Sequence, residues 1–112
     1  MSKFERRNTI VELDIEGNIF YVDFGRDGIL AIIEDTAQKV SEAEKGHKEI
    51  KDTKKRMAAN ESDGKTIVKE AINDLLQDEN ASEKIFAKDN TTAFIADVYN
   101  FINKEFCDTM GR

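Results

Sequence analysis

Two short patterns in this 112-residue chain resemble motifs that handle phosphate or metal ions. Gly64-Lys65-Thr66 matches the end of a phosphate-binding loop, but that loop also needs a glycine five residues before the second one and a preceding strand. The residue at that position is Ala59, and the residues before it have a helical pattern. Asp23-Phe24-Gly25 matches the metal-holding tripeptide of protein kinases, whose catalytic loop and strand lysine are missing here. Neither match predicts an activity.

A third pattern, residues 23–34, resembles a calcium-binding loop. Asp23, Asp27, Gly28 and Glu34 occupy positions 1, 5, 6 and 12 of such a loop. Position 3 is glycine, which offers no side-chain ligand, and the preceding residues have a strand pattern where a calcium-binding motif needs a helix. We therefore expect a strand-to-helix turn with Asp27 as the helix N-cap, and no bound metal.

The residues that could act in nucleophilic or acid–base catalysis are scattered. His47 is the only histidine and Cys107 the only cysteine, and they lie in different predicted helices. A catalytic pair must be in contact and needs a third group that orients it. The carboxylates are spread over helix faces, as on any acidic surface. We predict that the chain is not an enzyme and has no catalytic residue, no cofactor and no metal ion.

Charge and composition narrow the class of partner. The net charge is −6, which argues against nucleic-acid binding because phosphate contacts need a clustered basic surface. The acidic excess lies in residues 66–112, which carry 5 basic and 9 acidic side chains. No stretch is long and apolar enough to cross a membrane, and no signal-peptide-like run opens the chain. We expect a cytoplasmic protein with a basic or hydrophobic protein partner.

The pattern of apolar residues predicts an α+β protein, mainly α, in a single domain over residues 1–112. Residues 1–8 are polar and are expected to be disordered. Residues 9–24 alternate around Glu16-Gly17-Asn18 and predict a β-hairpin, with Ile10, Leu13 and Ile15 on its apolar side. Three main helices should follow.

The first predicted helix is long. A four-three spacing of residues from Ile29 to Met57 predicts one helix over residues 28–59 that projects from the core, as a coiled-coil arm would. Asn60 to Gly64 should then turn the chain. The remaining helices are predicted over residues 65–79, 81–87 and 91–109, from apolar stripes at helical spacing.

The arrangement resembles the tail assembly chaperones of long-tailed, siphovirus-type bacteriophages that infect Gram-positive hosts. The resemblance covers most of the chain and includes the hairpin and the long polar helix. It also includes a C-terminal rhythm of Ile72-Asn73-Asp74-Leu75-Leu76, Glu83-Lys84-Ile85-Phe86, a polar break at Lys88 to Thr92, and Val98-Tyr99-Asn100-Phe101-Ile102. Family members often carry glycines after the second helix, where this chain has Gln77-Asp78-Glu79-Asn80.

The resemblance implies a non-catalytic protein in the cytoplasm of the bacterial host. Such a chaperone binds the long, aggregation-prone tape measure protein, keeps it soluble and helps to recruit tail tube subunits. Members are often made in two lengths by ribosomal frameshifting, and this chain resembles the shorter form. Three alternatives remain: a small structural tail or head–tail connector protein, an acidic inhibitor that mimics DNA, and a calcium-regulated module.

Two sets of apolar residues are candidate interfaces. Aromatic and aliphatic side chains in the C-terminal part are predicted to contact the partner, within a ring of acidic residues that includes Asp78, Glu79, Glu83 and Asp97. This set comprises Ile85, Phe86, Phe94, Tyr99 and Phe101. Because a lone hairpin is marginal and the heptad spacing extends beyond any core, we also predict a homo-oligomer with Ile33, Val40 and Ile50 near a helix interface.

Overall fold

The fold is an N-terminal hairpin followed by helices, which confirms the α+β, mainly α class. A computed structural model describes residues 1–111. Residues 1–9 contain no helix or strand. The elements are β1 (Ile10–Ile15), β2 (Asn18–Asp23), α1 (Ile29–Gly46), α2 (Thr53–Leu76), α3 (Ala81–Ile85) and α4 (Thr92–Met110).

A tight turn sets the register of the antiparallel hairpin. The two loop residues, Glu16 and Gly17, have φ angles of 53° and 83°, the positive pair that a type I′ turn requires. The Gly17 amide also donates to Asp14 Oδ1 at 2.9 Å. The strands pair from Ile15 opposite Asn18 to the far end of the hairpin. The alternating pattern predicted the hairpin but not this register.

One face of the hairpin is buried and the other is exposed. Ile10 was expected on the buried side, but it lies 58% exposed on the outer face, whereas Val11 packs against the core. The physical reason is the strand period of two, which places Val11 on the same face as Leu13. The remaining inner side chains are Ile15, Phe20 and Val22.

The junction between the hairpin and α1 is built from local hydrogen bonds. Asp23 Oδ1 accepts the Thr9 hydroxyl at 2.6 Å and the Gly25 amide at 2.9 Å. A Cβ atom at Gly25 would lie 2.9 Å from Thr9 Cβ, so this position needs glycine for space. Asp27 is not the N-cap that was expected: Gly28 occupies that position, with a φ of 95° and no side-chain cap.

Arg26 fastens this junction to the end of α2. Its guanidinium donates to the carbonyl oxygens of Asp74 and Leu75 at 2.7 and 2.9 Å, and to that of Asp23 at 3.0 Å. Carbonyls in the last turn of a helix have no intrahelical partner, so a cation stabilises them. Burial lowers the pKa of Arg26, and the neighbouring carboxylates of Asp23 and Asp74 act in the opposite direction.

The single helix predicted over residues 28–59 is wrong. α1 ends at Gly46, and α2 begins at Thr53 and continues through the predicted turn at residues 60–64. The break lies at residues 47–52, where the side chain of Asp52 caps α2 by accepting the Lys55 amide at 3.2 Å. This capping interaction decides the boundary, because it satisfies a helix-terminal amide that would otherwise lack a partner.

His47 explains why α2 can run through the polar residues that were predicted to turn. Its Nδ1 lies 2.6 Å from Asn60 Oδ1, and its Nε2 lies 2.9 Å from Asp63 Oδ2. These two side chains therefore connect α2 to the end of α1. Gly64 lies inside α2, and a Cβ atom added there would have no neighbour within 4 Å. Glycine therefore lowers the stability of the helix here by the ordinary amount of about 1 kcal/mol relative to alanine.

α2 ends in a left-handed residue. Gln77 has a φ of 53°, and the Asp78 amide donates to the Asn73 carbonyl at 3.1 Å while the Gln77 amide donates to that of Asp74 at 3.3 Å. This pair of bonds is a Schellman motif, whose left-handed position usually carries glycine. Gln77 therefore adopts the conformation that a glycine in this segment would adopt more easily.

The molecule has two unlike parts, which we name the body and the arm. The body comprises residues 9–36 and 71–110 and contains every buried side chain, whereas the arm, residues 37–70, contains none among the described residues. Its two helical segments run antiparallel. The radius of gyration is 16.7 Å, whereas a compact domain of this length has a radius of gyration of about 13 Å. The longest dimension of the molecule is 68 Å. The predicted projection is thus formed by two helices.

Candidate protein-binding surface

The candidate surface is built on α4, which begins at a side-chain cap. The hydroxyl oxygen of Thr91 accepts the Phe94 amide at 3.3 Å. α4 then packs against α2 and turns Ile95, Val98 and Ile102 inward, where each is buried. The opposite face of the helix is left to solvent.

α3 is held against α2 by a buried serine. Ser82 Oγ lies 2.7 Å from the Lys69 carbonyl oxygen and 2.6 Å from Asn73 Oδ1, and the Ser82 amide also donates to Asn73 Oδ1 at 2.8 Å. These bonds satisfy polar groups that burial would otherwise penalise. They position Ile85, the last residue of this short helix, and Phe86, which follows it, over the core.

The five residues predicted to bind a partner are separated by burial. Ile85 and Phe86 are 4% and 5% exposed and belong to the core. Phe94 and Tyr99 are half-buried against that core, and Phe94 meets Phe86 edge-on with 5.5 Å between the ring centroids. Phe101 is 39% exposed. Only the last three therefore present surface, and partner binding by any of them stays a prediction.

Phe101 borders a shallow groove between the hairpin and α4. The groove has a volume of about 200 Å³, and its floor is apolar. Three carboxylates, Asp14, Glu16 and Asp97, lie on its rim. The apolar lining residues are Ile15, Phe94, Val98 and Phe101.

Within residues 1–111, none of the three rim carboxylates forms an ion pair. Asp14 differs from Glu16 and Asp97 in accepting a hydrogen bond from the turn amide of Gly17. On the other side of Phe94 a second groove contains Lys84 and Lys88 and shares Glu16. Asp14 and Asp97 are the carboxylates that line the Phe101 groove and not the second one. This groove offers an apolar floor and negative charge to a partner.

The other acidic residues expected around the surface have different surroundings. The Lys84 ammonium lies 2.9 Å from Asp78 Oδ2 and, with the Asn80 amide, lowers the pKa of Asp78. Asp89 was not among the expected residues, and its pKa is lowered by the Thr91 amide at the start of α4. Both carboxylates stabilise loops between helices, and neither lines the groove that Phe101 borders.

The three residues predicted at an oligomer interface do not share one helix. Ile33 and Val40 are half-buried on α1, and Ile33 packs against the core. Ile50 lies in the loop between α1 and α2, because the predicted helix breaks before it. The prediction of a homo-oligomer is not tested by these positions.

The residues that could have formed a phosphate-binding, metal-binding or catalytic site have structural surroundings instead. Gly64-Lys65-Thr66 lies within α2, where the Thr66 hydroxyl donates to the Ser62 carbonyl. His47 contacts Asn60 and Asp63, and Cys107 is exposed on α4. In the part of the chain that the structure describes, no group of three or more His, Cys, Asp or Glu side chains is arranged to hold a metal ion.

Sequence reasoning missed a second exposed apolar surface, the outer face of the hairpin. Ile10, Ile19 and Tyr21 are 58%, 47% and 71% exposed there. Ile19 and Tyr21 alternate with the buried residues of β2, and this alternation was the signal that could have revealed them. An aromatic residue on the solvent side of a strand is the unusual feature.

Comparison of the chain with protein-family models, with curated proteins and with solved structures finds no match in any of the three. Among residues 1–111, no helix has the length and apolar character to cross a membrane.

Proposed function

We propose that this protein binds another protein without catalysis, and that it is a tail assembly chaperone of a siphovirus-type bacteriophage. In this role it binds the tape measure protein in the cytoplasm of the bacterial host and keeps it soluble until the tail tube assembles around it. The sequence resemblance names the client.

The observation that carries the proposal is the groove between the hairpin and α4. Phe101 is exposed beside half-buried Phe94, and the carboxylates of Glu16 and Asp97, which form no ion pair within residues 1–111, lie at the rim. Aromatic side chains contribute a large share of binding energy at interfaces, and surrounding charges orient the partner and speed its encounter. The groove therefore fits an apolar segment that is flanked by basic residues.

A tape measure protein presents segments of this kind if its helices carry apolar stripes. An amphipathic helix binds a groove through apolar side chains at helical spacing, and covering such a stripe removes the surface through which the client would aggregate. Ile85 and Phe86 are core residues, and Phe86 supports Phe94 through their edge-on ring contact.

Co-expression with the tape measure protein of the same phage tests the proposal. We expect the wild-type chain to keep the client in the soluble fraction, and Phe101→Ser and Tyr99→Ala to leave it insoluble while circular dichroism remains that of the folded protein. Leu30→Ala is the matched control, because Leu30 is an exposed apolar residue elsewhere in the body.

Two results would argue against the proposal. If the Phe101 variant is folded and still solubilises the client, the groove is not the binding site. Tyr99 is not among the residues that line the groove, so its variant tests a different part of α4. If the wild-type chain itself fails to solubilise the client, the chaperone function is wrong. Phe86→Ala separates core from surface: Phe86 is buried, so this variant should lose folded signal before any effect on binding can be read.

A further inference from the structure

The residues before β1 are basic and aromatic in a chain that is otherwise acidic. Lys3, Arg6 and Arg7 outnumber Glu5, whereas the whole chain carries a net charge of −6. Phe4, in the middle of this segment, is 93% exposed. An aromatic side chain this exposed keeps a large apolar surface in contact with water, which is unfavourable unless another surface covers it. We call residues 1–8 the leading segment.

The groove beside Phe101 has the complementary properties. Its floor of Ile15, Phe94, Val98 and Phe101 is apolar and its rim is acidic, with Glu16 and Asp97 unpaired within residues 1–111. Its volume of about 200 Å³ is of the size that a single large side chain fills. Opposite charges on the two surfaces would orient the aromatic residue toward the floor.

The leading segment of the same chain is poorly placed to fill this groove. Ile15 lines the groove at one end of β1, and the leading segment leaves the other end, where Arg7 contacts Met110 Sδ at 3.6 Å. From Thr9 to Ile15 the strand covers about 20 Å. Five residues from Thr9 back to Phe4 span at most about 18 Å when fully extended. No residue is then left to form the turn that would fold the segment back along β1.

We propose that the groove between the hairpin and α4 binds the leading segment of a second copy of this chain, with Phe4 on the apolar floor and Lys3 and Arg6 facing the acidic rim. The contact is heterologous, because one surface of a copy meets a different surface of the next. It closes into a symmetric pair if each copy inserts its segment into the other, and otherwise it continues into a ring or chain. The leading segment and the proposed client would compete for the same groove, but the self-association can be measured without any client.

Sedimentation velocity over a concentration series tests the contact without any client. We expect the wild-type chain to associate, and to do so more weakly at high salt because the charged groups are exposed to screening. Phe4→Ala and Phe101→Ser should each weaken association by about tenfold or more, as the loss of a central aromatic anchor does. Met57→Ala, an exposed apolar residue of the arm, should leave it unchanged.

Mixing provides the sharper measurement. Phe4→Ala has an intact groove and Phe101→Ser an intact leading segment, so an equal mixture should associate through one intact contact although neither variant does so alone. Asp97→Lys, on the exposed rim, should reproduce the effect of Phe101→Ser without removing apolar surface. A monomeric wild-type chain, or association that survives Phe4→Ala and Asp97→Lys, would overturn the proposal.

Discussion

The body and the arm are both largely helical, but they are stabilised by different interactions. In the body, α2, α3, α4 and the hairpin share a core in which Val22, Ile72 and Ile102 are fully buried. In the arm, two helical segments touch through half-buried side chains and through the hydrogen bonds of His47. Most helical stability in proteins comes from burying an amphipathic face. The arm helices, which bury little, therefore depend on the body or on a partner for their stability.

The largest expected difference between the two parts follows from apolar truncation. Ile72→Ala removes atoms from the centre of the body and should lower the free energy of unfolding by about 2–5 kcal/mol, as large-to-small core substitutions do. Val40→Ala, in the arm, should cost well under half of that because Val40 is half-buried. Urea unfolding followed by circular dichroism measures both. Equal losses would mean that the arm has a core of its own.

A smaller difference is expected for two arginines that donate to backbone carbonyls. Arg26→Met in the body loses three hydrogen bonds from a charged donor, to Asp23, Asp74 and Leu75, and should lower the free energy of unfolding by about 1.5–3 kcal/mol. Arg56→Met in the arm loses one bond of 3.3 Å to the Ile50 carbonyl and should change it little. The same urea experiment serves, and a negligible loss for Arg26→Met would show that the junction does not depend on its guanidinium.

The left-handed residue at the end of α2 allows a stabilising substitution. Gln77→Gly relieves a backbone conformation that costs non-glycine residues about 1–2 kcal/mol, so we expect a net gain of about 0.5–1 kcal/mol after the added freedom of glycine in the unfolded chain. Gln38→Gly, inside α1 of the arm, should instead cost about 1 kcal/mol. Thermal melting distinguishes the two signs, and a lower melting temperature for Gln77→Gly would contradict the role of the Schellman motif.

The smallest effect concerns acid. The Thr9 hydroxyl and the Gly25 amide lower the pKa of Asp23 below its ordinary value of 3.8. A carboxyl with a lowered pKa in the folded state stabilises the fold above its unfolded pKa, and this contribution is lost as the pH falls through the folded pKa. Asp23→Asn should therefore lower the urea midpoint slightly at about pH 6 and less at about pH 3. Glu5→Gln, an exposed control, should show no such convergence.

Much of the hairpin could be predicted from the sequence because its determinants are local. The turn residues Glu16 and Gly17 and the alternation of apolar residues specify both the loop and the register. The start of α4 is local too: the threonine cap and the apolar stripe that follows place it within one residue of the predicted boundary. In both cases, the residues that decide the structure are neighbours in the chain.

The break between α1 and α2 could not be read in the same way. The four-three spacing continues through residues 47–52, where Ile50 is the one apolar residue. Nothing in that spacing distinguishes the capping carboxylate of Asp52 from other acidic residues. His47 joins Asn60 and Asp63 across the two helices only after the chain has reversed. A polar run that looks like a turn therefore becomes helix, because its side chains acquire partners from another element.

For the candidate surface too, part could be predicted from the sequence and part depended on tertiary packing. Composition and helical spacing by themselves determined that the C-terminal helices carry an apolar and aromatic stripe with acidic neighbours. They could not tell which of its members are buried and which are exposed, because Ile85, Phe86 and Phe101 are all apolar residues of the same periodic pattern. Tertiary packing made the choice: Ser82 holds α3 on α2 and buries Ile85 and Phe86, whereas Phe101 has no element above it. Burial depends on what is packed opposite a residue, and that neighbour is distant in the chain.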